Sequence, residues 1–330
     1  MDASHPDFLT GDAVGIQKAA KLLHAGQCVA APTETVYGLA GNAFNEHAVR
    51  SIFAIKSRPY IDPLIVHIHA IEQLTELTRL DDEQLSAVKL LAAEFWPGPL
   101  TMVLPKTKAV SGLVTANRDS VAIRQPAHPV MRELLRTSGL FLAAPSANPF
   151  GYISPTTAQH VRESLGIRCP HILDGGPCEN GVESTIIDLR DPRAPVLLRP
   201  GPIGLEQLKD VLHLSVKRPA PASDASLAPG MLERHYSPRT KLSLHTAGSL
   251  PATHTGEAKL LLQRPPNADS QHTFWLSESG NLNEVAQNLF SLLRALDADE
   301  AIQHIHCEMP PAGPGIADAI RDRLNRASKR

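Results

Sequence analysis

Apolar positions along the first two hundred residues switch repeatedly between helical and strand periods. Residues 12–25 place Val14, Ile16, Ala20 and Leu23 at helical spacing, and Gly26 follows as a C-cap signal. The short apolar run Cys28–Ala31, ended by Pro32, predicts a buried strand. A helix is predicted over 46–55, with Val49, Ile52 and Phe53 on one face, and a strand over Leu64–Ile68. The next helix, Glu83–Phe95, stops at the breaker Trp96-Pro97-Gly98-Pro99, after which Leu100–Leu104 reads as a strand. Further strands are predicted at 120–124, 140–145, 171–174, 184–189 and 195–199, and helices at 128–137, 155–165 and 204–212. Several strands follow one another directly. That favours a mixed sheet with helices packed on it over a strictly parallel, doubly wound one.

The pattern lapses at about residue 216. Lys217–Gly230 holds three prolines with Ala and Ser and almost no large apolar residues, as a linker does. From 241 it restarts, with strands at 241–245, 258–262, 272–276 and 301–307 and helices at 282–296 and 315–327. The expected organisation is a larger α/β domain over 1–216, a Pro/Ala/Ser-rich linker over 217–240 and a small α/β domain over 241–330. The basic end, Arg321 to Arg330, lies on the last helix and reads as a solvated face.

Composition changes this picture little. Apolar residues at 42% and charged residues at 20% are ordinary for a soluble globular chain. A net charge of −2 gives no bulk reason to expect a polyanion partner. Cys28, Cys169, Cys178 and Cys307 lie far apart without CxxC spacing, which argues against a zinc site or disulfide framework and fits a reducing cytosol. The N-terminus lacks the pattern of a signal peptide, and no apolar stretch approaches membrane-spanning length, so a cytoplasmic protein is expected.

Candidate chemistry sits where strands and helices end. There is no GxxxxGKS/T and no well-placed GxGxxG, which excludes P-loop and standard dinucleotide binding. Lys56 and Arg58, two apart in a stretch stiffened by Pro59 and Pro63, would share a side in extended backbone and could clamp phosphate oxygens. Solvated cations favoured by a helix C-terminus are the plainer alternative. Ser146 and Asn148, in Pro145–Pro149 after an apolar strand, are small polar groups where open sheets place ligands, or an ordinary turn. Thr33-Glu34-Thr35, again after a strand, could hold an amino acid or could cap a helix. His67 lies mid-strand, and Arg124, Ser184 and Arg199 lie at strand ends.

With these residues marked, the chain resembles the threonylcarbamoyl-AMP synthases, the YrdC-like family, in the long two-domain form. The matching strings are PTETVYGL (Pro32–Leu39), KSRP (Lys56–Pro59), PLIVHI (Pro63–Ile68), WPGPLTMVL (Trp96–Leu104), VAIRQP (Val121–Pro126), APSAN (Ala144–Asn148), STIIDL (Ser184–Leu189) and LLRPGPI (Leu197–Ile203). PGMLERHYSP (Pro229–Pro238) is similar to the linker signature of the long form.

The resemblance implies a twisted mixed sheet around a deep basic cavity, followed by a small Rossmann-like domain. It implies a nucleotidyltransferase that condenses L-threonine, bicarbonate and ATP, usually with Mg²⁺, to L-threonylcarbamoyl-AMP and pyrophosphate. The product would serve N6-threonylcarbamoyladenosine formation in tRNA through a downstream transferase, with no need for direct tRNA contact. By position, Lys56, Arg58, Ser146 and Asn148 correspond to the family's catalytic nucleotide-binding tetrad. Ser120, Ser154 and Arg199 fall at ATP contacts, and Tyr236 at the linker residue that reaches over the nucleotide. Thr35, His67, Arg124 and Ser184 fall where threonine is held. No metal-ligating residue is assigned. Asp62 departs from the family's usual neutral or basic residue, and its carboxylate would repel a triphosphate unless a metal intervened. Three other readings are an RNA-binding module, the related carbamoyl-transfer domain of hydrogenase maturation proteins and a regulatory nucleotide sensor. The second carries an acylphosphatase-like domain and cysteine-rich zinc motifs that this sequence lacks, and ATP turnover that depends on threonine would separate the other two from the enzyme.

Overall fold

The computed structural model describes residues 8–219, 235–266 and 272–329. Most of the linker expected at 217–240 therefore lies outside the described residues. In chain order the strands are β1 (Phe8–Thr10), β2 (Val29–Ala31), β3 (Gly38–Asn42), β4 (Ile65–His67) and β5 (Leu100–Pro105). They continue with β6 (Ser120–Arg124), β7 (Leu142–Ala143), β8 (His171–Asp174), β9 (Thr185–Asp188) and β10 (Val196–Arg199). These ten form one sheet in the order β1-β8-β2-β3-β7-β4-β6-β5-β9-β10, with parallel and antiparallel neighbours mixed. Strands β11 (Lys241–His245), β12 (Glu257–Gln263), β13 (Thr273–Ser277) and β14 (His304–Glu308) form a second, wholly parallel sheet in the order β11-β14-β12-β13. The expected mixed α/β architecture with a second small α/β unit is what the chain adopts.

The helices start and stop where the chain chemistry dictates. Helix α1 (Ala13–His24) is capped by Asp12, whose carboxylate accepts from the Val14 and Gly15 amides at 3.0 and 2.9 Å. It buries Ile16, Ala19, Ala20 and Leu23 as a stripe. Helix α2 (Glu46–Lys56) is capped by Asn45 and ends at Ser57, whose φ of 53° and ψ of 40° put it in the left-handed region.

Two sequence expectations fail here for local reasons. Lys56 and Arg58 do not share one side of an extended segment, because Lys56 closes the helix and left-handed Ser57 turns the chain between them. Residues 33–37 cap no helix; they lead irregularly into β3. That strand, GLAGN, is too rich in glycine to read as one. Its glycines serve close packing: a Cβ on Gly41 would meet Ile52 Cδ1 at 3.1 Å and one on Gly38 would meet the Ala144 Cβ at 3.2 Å. The strand expected over 140–145 shortens to β7, freeing Pro145–Asn148 to pair with the chain around β3.

The large sheet has two different faces. One carries Val66, Met102, Leu104, Val121, Ile123 and Ile187 into the main aliphatic core. The other carries a small cluster, Ile65, Val103, Ala122, Ile186 and Leu198. By strand alternation, His67, Thr101 and Arg124 lie on that second face, held level by the pairings His67↔Arg124 and Thr101↔Arg124.

Candidate active site

A cavity of about 50 Å³ opens on this second face. It is lined by Thr33, Thr35, Arg58, His67, Arg124, Ser146, Glu183, Ser184, Arg199, His235 and Tyr236, among others. Residues separated by two hundred positions meet there.

The polar half is wired in sequence. Arg124 Nη2 lies 2.7 Å from Glu34 Oε1, both side chains buried. Arg124 Nη1 donates to Thr35 Oγ1 at 2.9 Å, and Nε to the Gly98 carbonyl. Thr33 spends its hydroxyl proton on the Val36 carbonyl at 2.7 Å, so Thr35 is the donor in the 2.8 Å Thr33–Thr35 bond. Opposite, Ser184 Oγ accepts from Arg199 Nη2 at 3.1 Å and shares a 2.7 Å bond with Thr101 Oγ1. Burial would raise the Glu34 carboxyl, but the Arg124 charge and hydrogen bond and the Ala127 amide outweigh it and hold it below the usual range.

His67 is held neutral. Burial, then the neighbouring Arg124 charge, lower its pKa from 6.5 to about 3. The unfolded chain therefore takes up a proton below 6.5 that the folded chain refuses down to about 3. Stability should be intact above pH 6.5 and should fall as pH drops through this window, by about 1.4 kcal/mol per unit, or about 2 kcal/mol at pH 5. Melting temperatures between pH 7 and 5 measure this. A His67→Gln chain with the same acid slope would disprove it.

The other half is built from backbone. Lys56 Nζ is buried and donates to the carbonyls of Ser146 and Asn148 at 2.5 and 2.6 Å. Burial and then the Arg58 charge push this ammonium's pKa well below its ordinary value. The Ser146–Asn148 loop is also strapped to residues 37–39: Leu39 N donates to the Pro145 carbonyl and Ala147 N to that of Tyr37. Arg58 Nη2 pairs with Asp62 Oδ2 at 2.9 Å and donates to the Pro63 carbonyl at 2.7 Å. Asp62 thus sits beside a guanidinium rather than bare before an anion.

Of the residues singled out in the sequence, Thr35, Arg58, His67, Arg124, Ser146, Ser184, Arg199 and Tyr236 line the cavity. Lys56 and Asn148 stand behind its wall, with the Asn148 amide donating to the carbonyls of Pro149 and Tyr152. Ser154 also stands back, donating to Glu183 Oε1 at 2.5 Å. Ser120 begins β6, at the opposite end of that strand from Arg124.

Sequence reasoning missed Glu183, His235 and Arg323, and it misjudged the last helix. Arg323 lies on α10 (Ile316–Ala327), which packs with α9 (Leu282–Ala298) on the small sheet. It is not solvated but fully buried. Its Nε lies 2.6 Å from Glu183 Oε2, and Nη2 donates to the Pro200 carbonyl at 3.0 Å. A signal existed, since Arg323 falls on the stripe of Ala319, Ile320, Leu324 and Ala327. Above the cavity, Tyr236 has a left-handed φ of 61°. Its ring stacks on Phe290 at 5.7 Å, lies beneath the Arg323 guanidinium at 5.1 Å and touches the His235 ring at 4.1 Å.

Comparison with known proteins gives this arrangement a context. The Sua5/YciO/YrdC family profile, described as telomere recombination, matches residues 21–201, and that of the threonylcarbamoyl-AMP synthase C-terminal domain matches 203–329. The threonylcarbamoyl-AMP synthase of Bacillus subtilis is 40% identical, spanning 98% of this chain and 95% of its own length. That of Pyrococcus abyssi is 39% identical, over 95% and 94%. The crystal structure of P. abyssi Sua5 complexed with L-threonine superposes with a TM-score of 0.84 at 36% identity, covering 96% of this chain and 95% of that one. The chain belongs to the threonylcarbamoyl-AMP synthase family of nucleotidyl-transferring enzymes, in its two-domain form.

Proposed function

We propose that the cavity condenses L-threonine, bicarbonate or CO₂, and ATP into L-threonylcarbamoyl-AMP and pyrophosphate. One observation carries this reading: three guanidiniums, Arg58, Arg124 and Arg199, line a single small cavity together with the hydroxyls of Thr33, Thr35, Ser146 and Ser184. Guanidiniums suit carboxylate and phosphate, and the hydroxyls suit a small polar amino acid.

Arg124, fixed by Glu34, takes the threonine carboxylate. Thr35 and Ser184 hold the threonine side, and neutral His67 lines its pocket. The deprotonated amine attacks CO₂, with loss of a proton, or bicarbonate, with loss of water, to give the N-carboxylate. A carboxylate oxygen then attacks the α-phosphorus of ATP in line, and pyrophosphate leaves. This chemistry needs positioning and charge neutralisation more than a protein nucleophile. Arg58, Arg199, Ser146 and, from behind, Lys56 with Asn148 form the phosphate side. Ser154 reaches this side through Glu183, and Ser120, at the far end of β6, keeps its place on the nucleotide path from the resemblance alone.

Mg²⁺, expected from the resemblance, does not fit a cage made by this chain. Glu34, Asp62 and Glu183 are each engaged by an arginine. The ion would arrive with the triphosphate, whose charge it would help to neutralise.

A space of about 50 Å³ holds a few waters, against about 300–1,000 Å³ for an ordinary ligand site. Movement of His235 and Tyr236, which line it, would admit ATP, and their return would close the site over a carbamate that water would destroy. Release of the product to a downstream tRNA-modifying transferase completes the reading. The four buried free thiols support a reducing, cytoplasmic setting, and no described helix is long and apolar enough to cross a membrane.

Mass spectrometry of the products from ATP, bicarbonate and threonine, with serine as control, tests it. Absence of a threonine-dependent adduct and of pyrophosphate would overturn it. Lys56→Ala should lower turnover by about 10²-fold or more, because the Ser146–Asn148 loop loses its cation and the phosphates lose a nearby charge. A near-normal rate in a coupled pyrophosphate assay would remove Lys56 from the machinery.

A further inference from the structure

The second sheet carries a cluster of polar side chains on the face turned away from its helices. Helices α9 and α10 pack on the side carrying Leu242, Ala258, Leu260, Ile305 and Cys307. By strand alternation the reverse side carries Ser243 and His245 on β11, His304 and His306 on central β14, and Glu257 on β12. This face plays no part in the cavity described above.

On it, two imidazoles converge on one carboxylate. His304 Nδ1 and His306 Nε2 each lie 3.7 Å from Glu257 Oε1, and the three ligand atoms all fall within 4.8 Å of one another. At 3.7 Å neither contact is a hydrogen bond. The spacing is only a few tenths of an ångström wider than the ligand–ligand edge of about 3.3–3.4 Å expected for tetrahedral bonds of 2.0–2.1 Å.

The outer nitrogens are already engaged. His304 Nε2 lies 2.8 Å from Ser243 Oγ, and His306 Nδ1 lies 3.0 Å from His245 Nε2. His306 is 6% exposed, yet its Nε2 has no hydrogen-bond partner among the described residues. It is a buried polar atom aimed at the gap. Glu257 is oriented too, since its other oxygen accepts from the His254 amide at 2.9 Å.

We propose that Glu257, His304 and His306 form a binding site for one divalent transition ion of the zinc, cobalt or nickel type. With the inner nitrogens on the ion, the Nε2 proton of His304 goes to Ser243 Oγ and the Nδ1 proton of His306 to His245 Nε2. This is the outer hydrogen bonding that fixes ligand tautomers at metal centres. Two imidazoles and one carboxylate favour such an ion over Mg²⁺ or Ca²⁺, which take oxygen sets. Lys241 and Lys259 flank the histidines in register and further disfavour a weakly bound hard cation. The remaining coordination position would be filled by water.

Isothermal titration of the tag-free full chain with Zn²⁺, and visible absorption with Co²⁺, test the site. One saturable equivalent is expected, with the Co²⁺ spectrum of a four-coordinate N/O site. H304A/H306A should lose it, with affinity down by at least 10²-fold. Glu257→Gln should weaken it too, and Ser243→Ala or His245→Ala should weaken it by about 10-fold. Threonine-dependent pyrophosphate release by these variants reports that they are folded. No saturable equivalent, or an equivalent kept by both H304A/H306A and Glu257→Gln, would overturn the site.

Discussion

Arg124→Ala should eliminate threonine-dependent turnover and lower folding stability by about 3–5 kcal/mol, the usual cost of orphaning one partner of a buried ion pair. Glu34, 4% exposed, would keep just its own backbone amide and that of Ala127 as charge-stabilising donors among the described residues. The two effects separate in the double variant Arg124→Ala/Glu34→Gln. Removing the stranded carboxylate should return much of the stability while threonine binding stays lost. Melting temperature and threonine titration read the two arms. Normal threonine affinity in either variant would show that Arg124 holds the pocket together without touching substrate.

Arg323→Ala should have an effect of similar size from outside the cavity. Its guanidinium joins the second sheet unit to the catalytic one through Glu183 and the Pro200 carbonyl, and it lies over the Tyr236 ring. Loss of the pair should cost about 3–5 kcal/mol, and the KM for ATP should rise as Tyr236 loses its support. Arg323→Lys keeps the charge but not the fork, and should fall between. Chemical denaturation and ATP-dependent kinetics measure both. An Arg323→Ala chain as stable as the parent would mean that water, rather than protein, already satisfies Glu183.

The two units were visible in the sequence because hydrophobic period is a local property. Helices such as α1 and α4 (Asp82–Phe95), and strands such as β5 and β6, needed only their own apolar spacing to be predicted. Between α2 and α4 the chain also forms a short α3 (Leu74–Leu77), too brief for a periodic signal. Strand β3 was illegible because its glycines answer to Ile52 and Ala144, which are remote in sequence. Thr35, His67, Arg124 and Ser184 were legible as candidates because they lie at or near strand ends inside recognisable strings, and all four line the cavity. The roles of Lys56 and Asn148 were not, because both act through backbone carbonyls, which carry no sequence identity. The Glu183–Arg323 pair spans 140 residues and could not be paired by inspection.

That pair changes what a domain deletion means. A chain cut after about residue 215 loses His235 and Tyr236, so it should bind ATP weakly or leak its product. It also loses Arg323, leaving the Glu183 carboxylate in the cavity lining with the Ser154 hydroxyl as a donor and only the more distant charges of Lys56 and Arg199 to offset it among the described residues. The shortened enzyme would then repel its own substrate for a reason unrelated to closure. Excising the tail together with Glu183→Gln separates a missing roof from a stray anion.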